Sequence, residues 1–589
     1  MCGILGVYSQ SGQLPSDASF TGAADTIQHR GPDDFGTFRN DEVLLGHRRL
    51  AIIDLNTGHQ PIHNSDKSLW VVFNGEIYNY VELRQELGED QFQTRSDCET
   101  PLLLYRRDGL DFARALRGMY ALAIHDPAEG RLILARDPFG IKPLYYVETS
   151  EGFAFASEAQ ALVRAGFVTP EIDPLRREEL LQLQFTCGAD TILSPIKRVL
   201  PGETLVIQGG HIVERRRFPA LPGGGPESIS EDDALARLDK ALKDSTIVHQ
   251  RSDVPYGLFL SGGIDSSALL ALMAELNDKP VVAFTAGFSG SGVHDERDHA
   301  RMLAARVGAD HHEVDFGEAD FWETLPRIAA AMDDPAADYA ILPTWKLASV
   351  AAQELKVVLC GEGGDELFAG YGRYRSLMRP WWMGGRNIRH RGTFDGLDVL
   401  RDPSVAWRDS IIGQEAVGTS RGRNRLQNAQ AIDCADWLTN DLLTKLDRCL
   451  MAHGLEGRTP FLDPVVAEAA FRLPDSLKIN KRLGKWLLRE WLQDVLPEAK
   501  PFEKKRGFTV PVGEWISSHG TELGKLVARR DSIREIADPA RVQAIFERSS
   551  GKREGFAAWT LLFYALWHRA NVEGRAPGDG TVFDILEAS

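Results

Sequence analysis

Residues 219–231, PALPGGGPESISE, cut this chain in two. Proline removes backbone donors and glycine removes stiffness, so neither a helix nor a strand holds there and the stretch reads as a linker. A chain of 589 residues also exceeds what one hydrophobic core sustains, so at least two domains are expected. Texture changes across the break. Before it, VLLGHRRLAIIDL, SLWVVFNGEIYNY, MYALAIHD and RLILARD are strand-like runs separated by turn signals, so a sheet-rich first half is expected. After it, DDALARLDKALKDSTIVHQ has helical period and leads into the apolar run VPYGLFL. Strands VVAFTAGF and KVVLCGEG then alternate with helices RDHARMLAARVG and TWKLASVAAQEL. Such alternation builds a parallel sheet whose ligands sit at the carboxyl ends of its strands.

Charge and cysteine usage narrow the function. A formal net charge of −17 argues against non-specific nucleic-acid binding, which needs a basic surface. No run of eighteen apolar residues predicts a membrane span, and MCGILGVYSQSG lacks the basic flank of a signal peptide. The six cysteines are scattered without CxxC pairs, which suggests free thiols in a reducing compartment, so a cytoplasmic location is expected. His294, His299, His311 and His312 have no carboxylate or cysteine at metal-ligand spacing and read as structural.

Cys2 is the first chemical constellation. Excision of Met1 leaves a thiol and an α-amine on one residue, and the amine, with a pKa near 8, can serve the thiol as base. Around it stand HRGPD (29–33), HRRLAIID (47–54), FNGEIYN (73–79) and SDCE (96–99). Together these resemble the glutaminase domain of class II glutamine amidotransferases over the first third of the chain. The resemblance implies an Ntn-hydrolase-type four-layer sandwich, with two sheets between helices, over residues 2–218. It implies Cys2 as nucleophile, with the Asn74 side-chain amide and the Gly75 N–H as oxyanion donors. Arg49 suits the substrate's α-carboxylate as a two-pronged donor, Asp97 suits its α-ammonium, and Glu76 joins the glutamine pocket.

The second constellation is SGGIDSS (261–267), which follows VPYGLFL and opens a helix. Its glycines let the backbone approach phosphate, and the helix N-terminus offers free N–H groups. No GxxxxGK[ST] is present, so it is not a Walker A loop. It resembles the SGGxDS loop of ATP pyrophosphatases, which cleave between the α- and β-phosphates. Asp265 inside a phosphate loop argues for an intervening Mg²⁺, and CGEGGDELFAGY (360–371) supplies Asp365 as its partner. Glu362 in the same turn suits the acceptor or its proton, whereas Glu366 reads as a helix cap.

SGGIDSS, CGEGGDE, GLEGRTPFLD (454–463), GKWLLRE (484–490) and KKRGFTVPVGEW (504–515) together resemble the synthetase domain of glutamine-dependent asparagine synthetases. That resemblance implies an α/β parallel-sheet domain with many helices over residues 232–520, followed by a helical extension at 521–589. It implies an ATP site of Leu260, Ser261, Gly262, Gly263, Asp265, Ser266, Ser267, Ala286, Cys360, Gly361 and Asp365. Lys485 would neutralise charge as an acyl-adenylate forms, and Arg448 is a candidate for holding the acceptor. ATP and Mg²⁺ are the implied cofactors. Glutamine, ATP and aspartate are the implied substrates, with no nucleic-acid or membrane partner and a homodimer as the assembly to look for. Residues 332–348 and 379–396 depart from the best-known bacterial synthetases. A different carboxylate, on a peptide, an antibiotic or a cell-surface sugar, therefore stays open as acceptor.

Overall fold

Strand Cys2–Ser9 shows how the first half is layered. Side chains alternate along it, so Ile4 and Tyr8 face one way while Leu5 and Val7 face the other. Leu5 and Val7 pack on Phe20, Ala23 and Ala24 of helix Asp17–Asp25. Ile4 and Tyr8 instead meet Val72, Ala121, Ala123 and Leu134 of a second sheet. That sheet's other face, with Val71, Phe73, Leu122 and Ile133, is covered by Leu102 and Leu104 of helix Thr100–Asp108. The result is helix, sheet, sheet, helix: the expected Ntn-type four-layer sandwich. Both sheets have six strands and are antiparallel throughout.

The computed structural model describes residues 2–9, 12–288, 295–383, 385, 388–402, 406–503 and 510–588. Met1 and its excision, His294, and the first six residues of KKRGFTVPVGEW lie outside them.

In the second half, Tyr256–Phe259 is the centre of a five-stranded parallel sheet. Val282–Gly287 and Asp310–Asp315 extend it on one side, Val357–Leu359 and Glu456–Arg458 on the other. The chain therefore reverses direction across the sheet beside its first strand, and a crevice opens at the carboxyl ends there. Residues 260–263 and 360–363 are the two loops that leave the sheet at this point.

Helix Glu231–His249 begins at a Ser230 N-cap, directly after the linker. The helices Arg425–Ile432, Asp433–Leu443 and Thr444–Met451 are continuous, and the middle one has the wider π winding. Beyond Gly520 the chain is helical, and its longest helix, Lys552–Asn571, is buried along most of its length. The indoles of Trp559 and Trp567 donate to the carbonyls of Ala337 (2.6 Å) and Met332 (2.7 Å). The C-terminal helices thus hold down residues 332–338, a segment that carries three aspartates toward the domain junction. Among the described residues no helix is long and apolar enough to cross a membrane.

Candidate active sites

Cys2 lies at the end of its strand, opposite Arg49, and is 6% exposed. Its face of the strand looks across the sandwich to Asn74, and the Cys2 N–H donates to Asn74 Oδ1 at 3.0 Å. The other end of that amide, Nδ2, is buried with no partner among the described residues. An N–H₂ group left open beside a thiol is a ready donor for an oxyanion. Next to it Gly75 adopts φ +149°, and a Cβ there would lie 2.0 Å from the Met119 carbonyl oxygen, so only glycine fits.

Burial pushes the Cys2 thiol above its ordinary pKa, with Arg49 opposing and Glu76 assisting. At rest the group is a thiol, and any attack by its sulfur needs a base. Arg49 donates to the carbonyls of Asp54 (2.6 Å) and Ile53 (3.4 Å), at the floor of the same end of the sandwich. Asp97 is fixed by the Ile77 N–H at 2.8 Å. Glu76 keeps Oε2 buried without a partner among the described residues, and its Oε1 is 3.5 Å from Arg458 of the second half. Burial, with Asp97 and Glu456 adding like charge, pushes the Glu76 carboxyl well up. The crowding of Asp97 and Glu456 around Glu76 disfavours a further negative charge there, an environment an ammonium group would relieve.

The second site is a cavity of about 720 Å³ at the sheet's reversal point. Leu260, Ser261, Gly262, Gly263, Asp265, Ser266, Ala286, Cys360, Gly361, Glu362 and Asp365 all line it. Gly262 has φ +70°, and Gly263 starts helix Ile264–Leu276. The Ser261 and Ser266 hydroxyls lie 3.1 Å apart and brace the loop, while Ser267 Oγ is buried without a partner among the described residues. The second loop closes on the first because it is glycine-rich. A Cβ on Gly361 would meet Asp265 Cβ at 2.9 Å, and one on Gly364 would meet Asp265 Oδ1 at 2.3 Å.

Lys485 binds both acidic loops. Its ammonium contacts Asp265 Oδ2 and lies 2.8 Å from Asp365 Oδ1, with its side chain 2% exposed. Burial lowers its pKa, but the two aspartates outweigh that and raise it, so it stays charged. Asp265 Oδ1 remains buried without a partner among the described residues. Two carboxylates facing a phosphate-shaped loop fit Mg²⁺, which binds through one or two carboxylates plus substrate phosphates. Burial raises Glu362 against the pull of Lys445, and Glu366 is raised to about 7 while it accepts from Tyr371 Oη at 2.7 Å.

Comparison with known proteins gives a family match to each half of the chain. The asparagine synthase family model matches residues 237–569, and the glutamine amidotransferase domain model matches residues 1–218. This chain belongs to the asparagine synthase family. It is 33% identical to glutamine-hydrolyzing asparagine synthetase 1 of Bacillus subtilis (strain 168), with 98% of each chain covered. It is likewise 33% identical to a putative glutamine-hydrolyzing asparagine synthetase of Mycobacterium tuberculosis (strain H37Rv), covering 97% of this chain and 98% of that one. Asparagine synthetase B of Escherichia coli (strain K12) is 28% identical, over 88% of this chain and 84% of its own.

Within this family member the sequence-derived residues gather at two places, with one exception. Arg448 does not line the synthetase cavity. It is buried at the junction of the halves, where Nε donates to Asp333 (2.6 Å), Nη1 to Asp447 (2.8 Å) and Nη2 to the Tyr145 hydroxyl (3.2 Å). Asp333 and Asp447 saturate its charge, so an acceptor could reach it only by breaking buried pairs. For two residues of the cavity or junction the sequence carried no signal of the partner. Lys445 lines the cavity with its ammonium 2.9 Å from Asp338 Oδ2, yet in KLDRCLMAHGLE it looks like any helix-face lysine. Arg30 was visible within HRGPD, but nothing local announces its partner Asp447.

Proposed function

We propose that this chain is a glutamine-dependent asparagine synthetase, with residues 2–218 releasing ammonia and residues 232–520 consuming it. The observation that carries the reading is the pairing of two built sites on one chain. One surrounds a buried N-terminal thiol with open amide donors, and the other surrounds a phosphate loop with two carboxylates and a lysine.

In the first site Cys2 attacks the carboxamide carbon of glutamine while its own α-amine takes the thiol proton. Asn74 Nδ2 and the Gly75 N–H hold the resulting oxyanion. Arg49 takes the substrate carboxylate, and Asp97 with Glu76 takes its ammonium. Collapse of the tetrahedral species expels ammonia as the Cys2 α-ammonium returns its proton to the leaving nitrogen, and water then frees glutamate from the thioester and restores the thiol. In the second site the loop 261–267 cradles the ATP phosphates, and Lys485 balances charge as the β-carboxylate of aspartate attacks the α-phosphorus. Asp265 and Asp365 would hold Mg²⁺, which when bound supplies further positive charge against the leaving pyrophosphate. Glu362 faces the acyl-adenylate and accepts the proton that ammonia must lose as it displaces AMP.

The test is product analysis of purified protein with glutamine, ATP, Mg²⁺ and aspartate. Asparagine, glutamate and AMP in equal amounts support the reading. Glutamate release and AMP formation without asparagine would move the acceptor to another carboxylate. No AMP with any acceptor would refute the synthetase assignment.

A further inference from the structure

We propose that Asp447, a residue of the synthetase half, positions the nucleophile of the glutaminase half through Arg30. This rests on Cys2 being that nucleophile. Arg30 is wholly buried, and its guanidinium is divided among three partners. Nε donates to the Cys2 carbonyl oxygen at 3.1 Å, and Nη1 donates to Glu158 Oε1 at 2.8 Å. Nη1 and Nη2 together grip Asp447, at 2.7 and 3.0 Å, across 417 residues of sequence. A two-pronged bond fixes the plane of a guanidinium as well as its place.

The consequence falls on Cys2. Asn74 accepts from its backbone nitrogen, and Arg30 donates to its carbonyl oxygen, so the residue is held from both sides. The Cα between those two atoms carries both the thiol and the amine that is to deprotonate it. A displaced Arg30 therefore misplaces the attacking sulfur directly. Asp447 is itself anchored, because it also accepts from Arg448 Nη1 at 2.8 Å and Arg448 is tied to Asp333. Burial works to raise the Asp447 carboxyl, yet Arg30 holds it below the ordinary carboxylate range, so the pair stays ionised.

Asp447 stands on helix Thr444–Met451, whose Lys445 and Leu446 line the synthetase cavity. One helix thus forms the wall of one active site and the back support of the other. A glutaminase half that is undocked from its partner keeps the single Arg30–Glu158 bond but lacks the two-pronged Asp447 grip, so the plane of the guanidinium on the Cys2 carbonyl is no longer fixed. Glutamine hydrolysis is then tied to the docked pair, where the ammonia has a use.

Asp447→Asn in the full chain tests this, because an amide cannot accept two guanidinium N–H groups from both of its ends. The glutaminase kcat should fall between about tenfold and hundredfold with KM for glutamine within about twofold, and ammonia-dependent AMP formation should stay within about threefold. Labelling of Cys2 by an electrophilic glutamine analogue should slow in proportion to kcat. Arg30→Lys keeps a cation beside Asp447 but loses the planar fork, and it should give the same split. It carries the test by the same criteria if the first variant does not fold. An unchanged glutaminase kcat in the folded variant overturns the proposal, as does an equal fall in both activities. Wild-type protein that hydrolyses glutamine without being labelled at Cys2 refutes the nucleophile assignment instead.

Discussion

Lys485→Met removes a cation from between two carboxylates, and the structure sets the size of the loss. The ammonium lies 2.8 Å from Asp365 Oδ1 and also contacts Asp265 Oδ2, with those aspartate side chains 21% and 14% exposed. A hydrogen bond to a charged partner contributes about 1.5–3 kcal/mol, so losing two, with the acids left facing each other, costs about 3–5 kcal/mol. The sign with pH is set by the lysine, whose folded pKa is raised by the two aspartates against the lowering effect of burial. Its contribution is complete below the unfolded lysine pKa and is lost as pH rises through the folded one, so the deficit is full at neutral pH. A divalent cation can replace the missing charge. At a hundredfold excess over its Kd it returns about 2.7 kcal/mol, between about half and nine-tenths of the deficit. Thermal unfolding with and without Mg²⁺ should therefore show a large drop in Tm that Mg²⁺ partly repairs. In the same preparation AMP formation should fall on the order of 10²–10³-fold while glutamine hydrolysis is kept, because Cys2 is in the other half. A Tm deficit indifferent to Mg²⁺, or AMP formation close to that of the parent protein, would refute the reasoning.

Three further outcomes are expected. Asn74→Ala removes the open Nδ2 donor and the acceptor for the Cys2 nitrogen, so glutaminase kcat should drop on the order of 10²–10³-fold. Ammonia-dependent synthesis should survive it; loss of both would place Asn74 outside the oxyanion hole. Glu366 has its folded pKa raised to about 7 from an ordinary 4.5, so its ionisation destabilises the fold progressively as pH rises through that window. Glu366→Gln should leave Tm unchanged at pH 4 and stabilise at pH 8 by up to roughly 3 kcal/mol, and a pH-independent difference would contradict this. Arg448→Met leaves Asp333 buried without its cation, while Asp447 keeps Arg30, and should lower stability by about 3–5 kcal/mol. Measured below its Tm, that variant should keep its KM for aspartate; a KM raised tenfold or more would return Arg448 to acceptor binding.

What the sequence made legible is what consecutive residues do by themselves. FNGEIYN puts a donor amide and an obligatory glycine side by side on one strand, and SGGIDSS puts a turn, its bracing hydroxyls and a helix start within seven residues. The same holds for the elements: DDALARLDKALKDSTIVH forms one helix, and the alternation of VPYGLFL with its neighbours forms the parallel sheet. Charges on helix faces are another matter. Lys445, Asp447 and Arg448 share one helix, and in sequence each looks like a solvated side chain. They end in a cavity wall, a bond to Arg30 and a bond to Asp333 respectively. Each partner comes from a segment at least 107 residues away, and the segment 332–338 supplying two of them is held by tryptophans near the C-terminus.

Burial turns these ambiguous charges into specific pairs, and burial depends on how the halves dock. In a junction built this way every arginine needs its own carboxylate, because an unpaired buried charge costs several kcal/mol. Arg198 with Asp334, Arg117 with Asp463 and Arg30 with Asp447 all obey that rule across the two halves. An apolar junction would tolerate sliding, since hydrophobic burial has no direction. Paired guanidiniums do not, since a shift of even one side chain's width leaves several charges buried and unmatched. The relative placement of the two sites is thus specified by ion pairs, and in the proposed reaction ammonia made at Cys2 is released at a fixed position relative to the carboxylate that is to receive it.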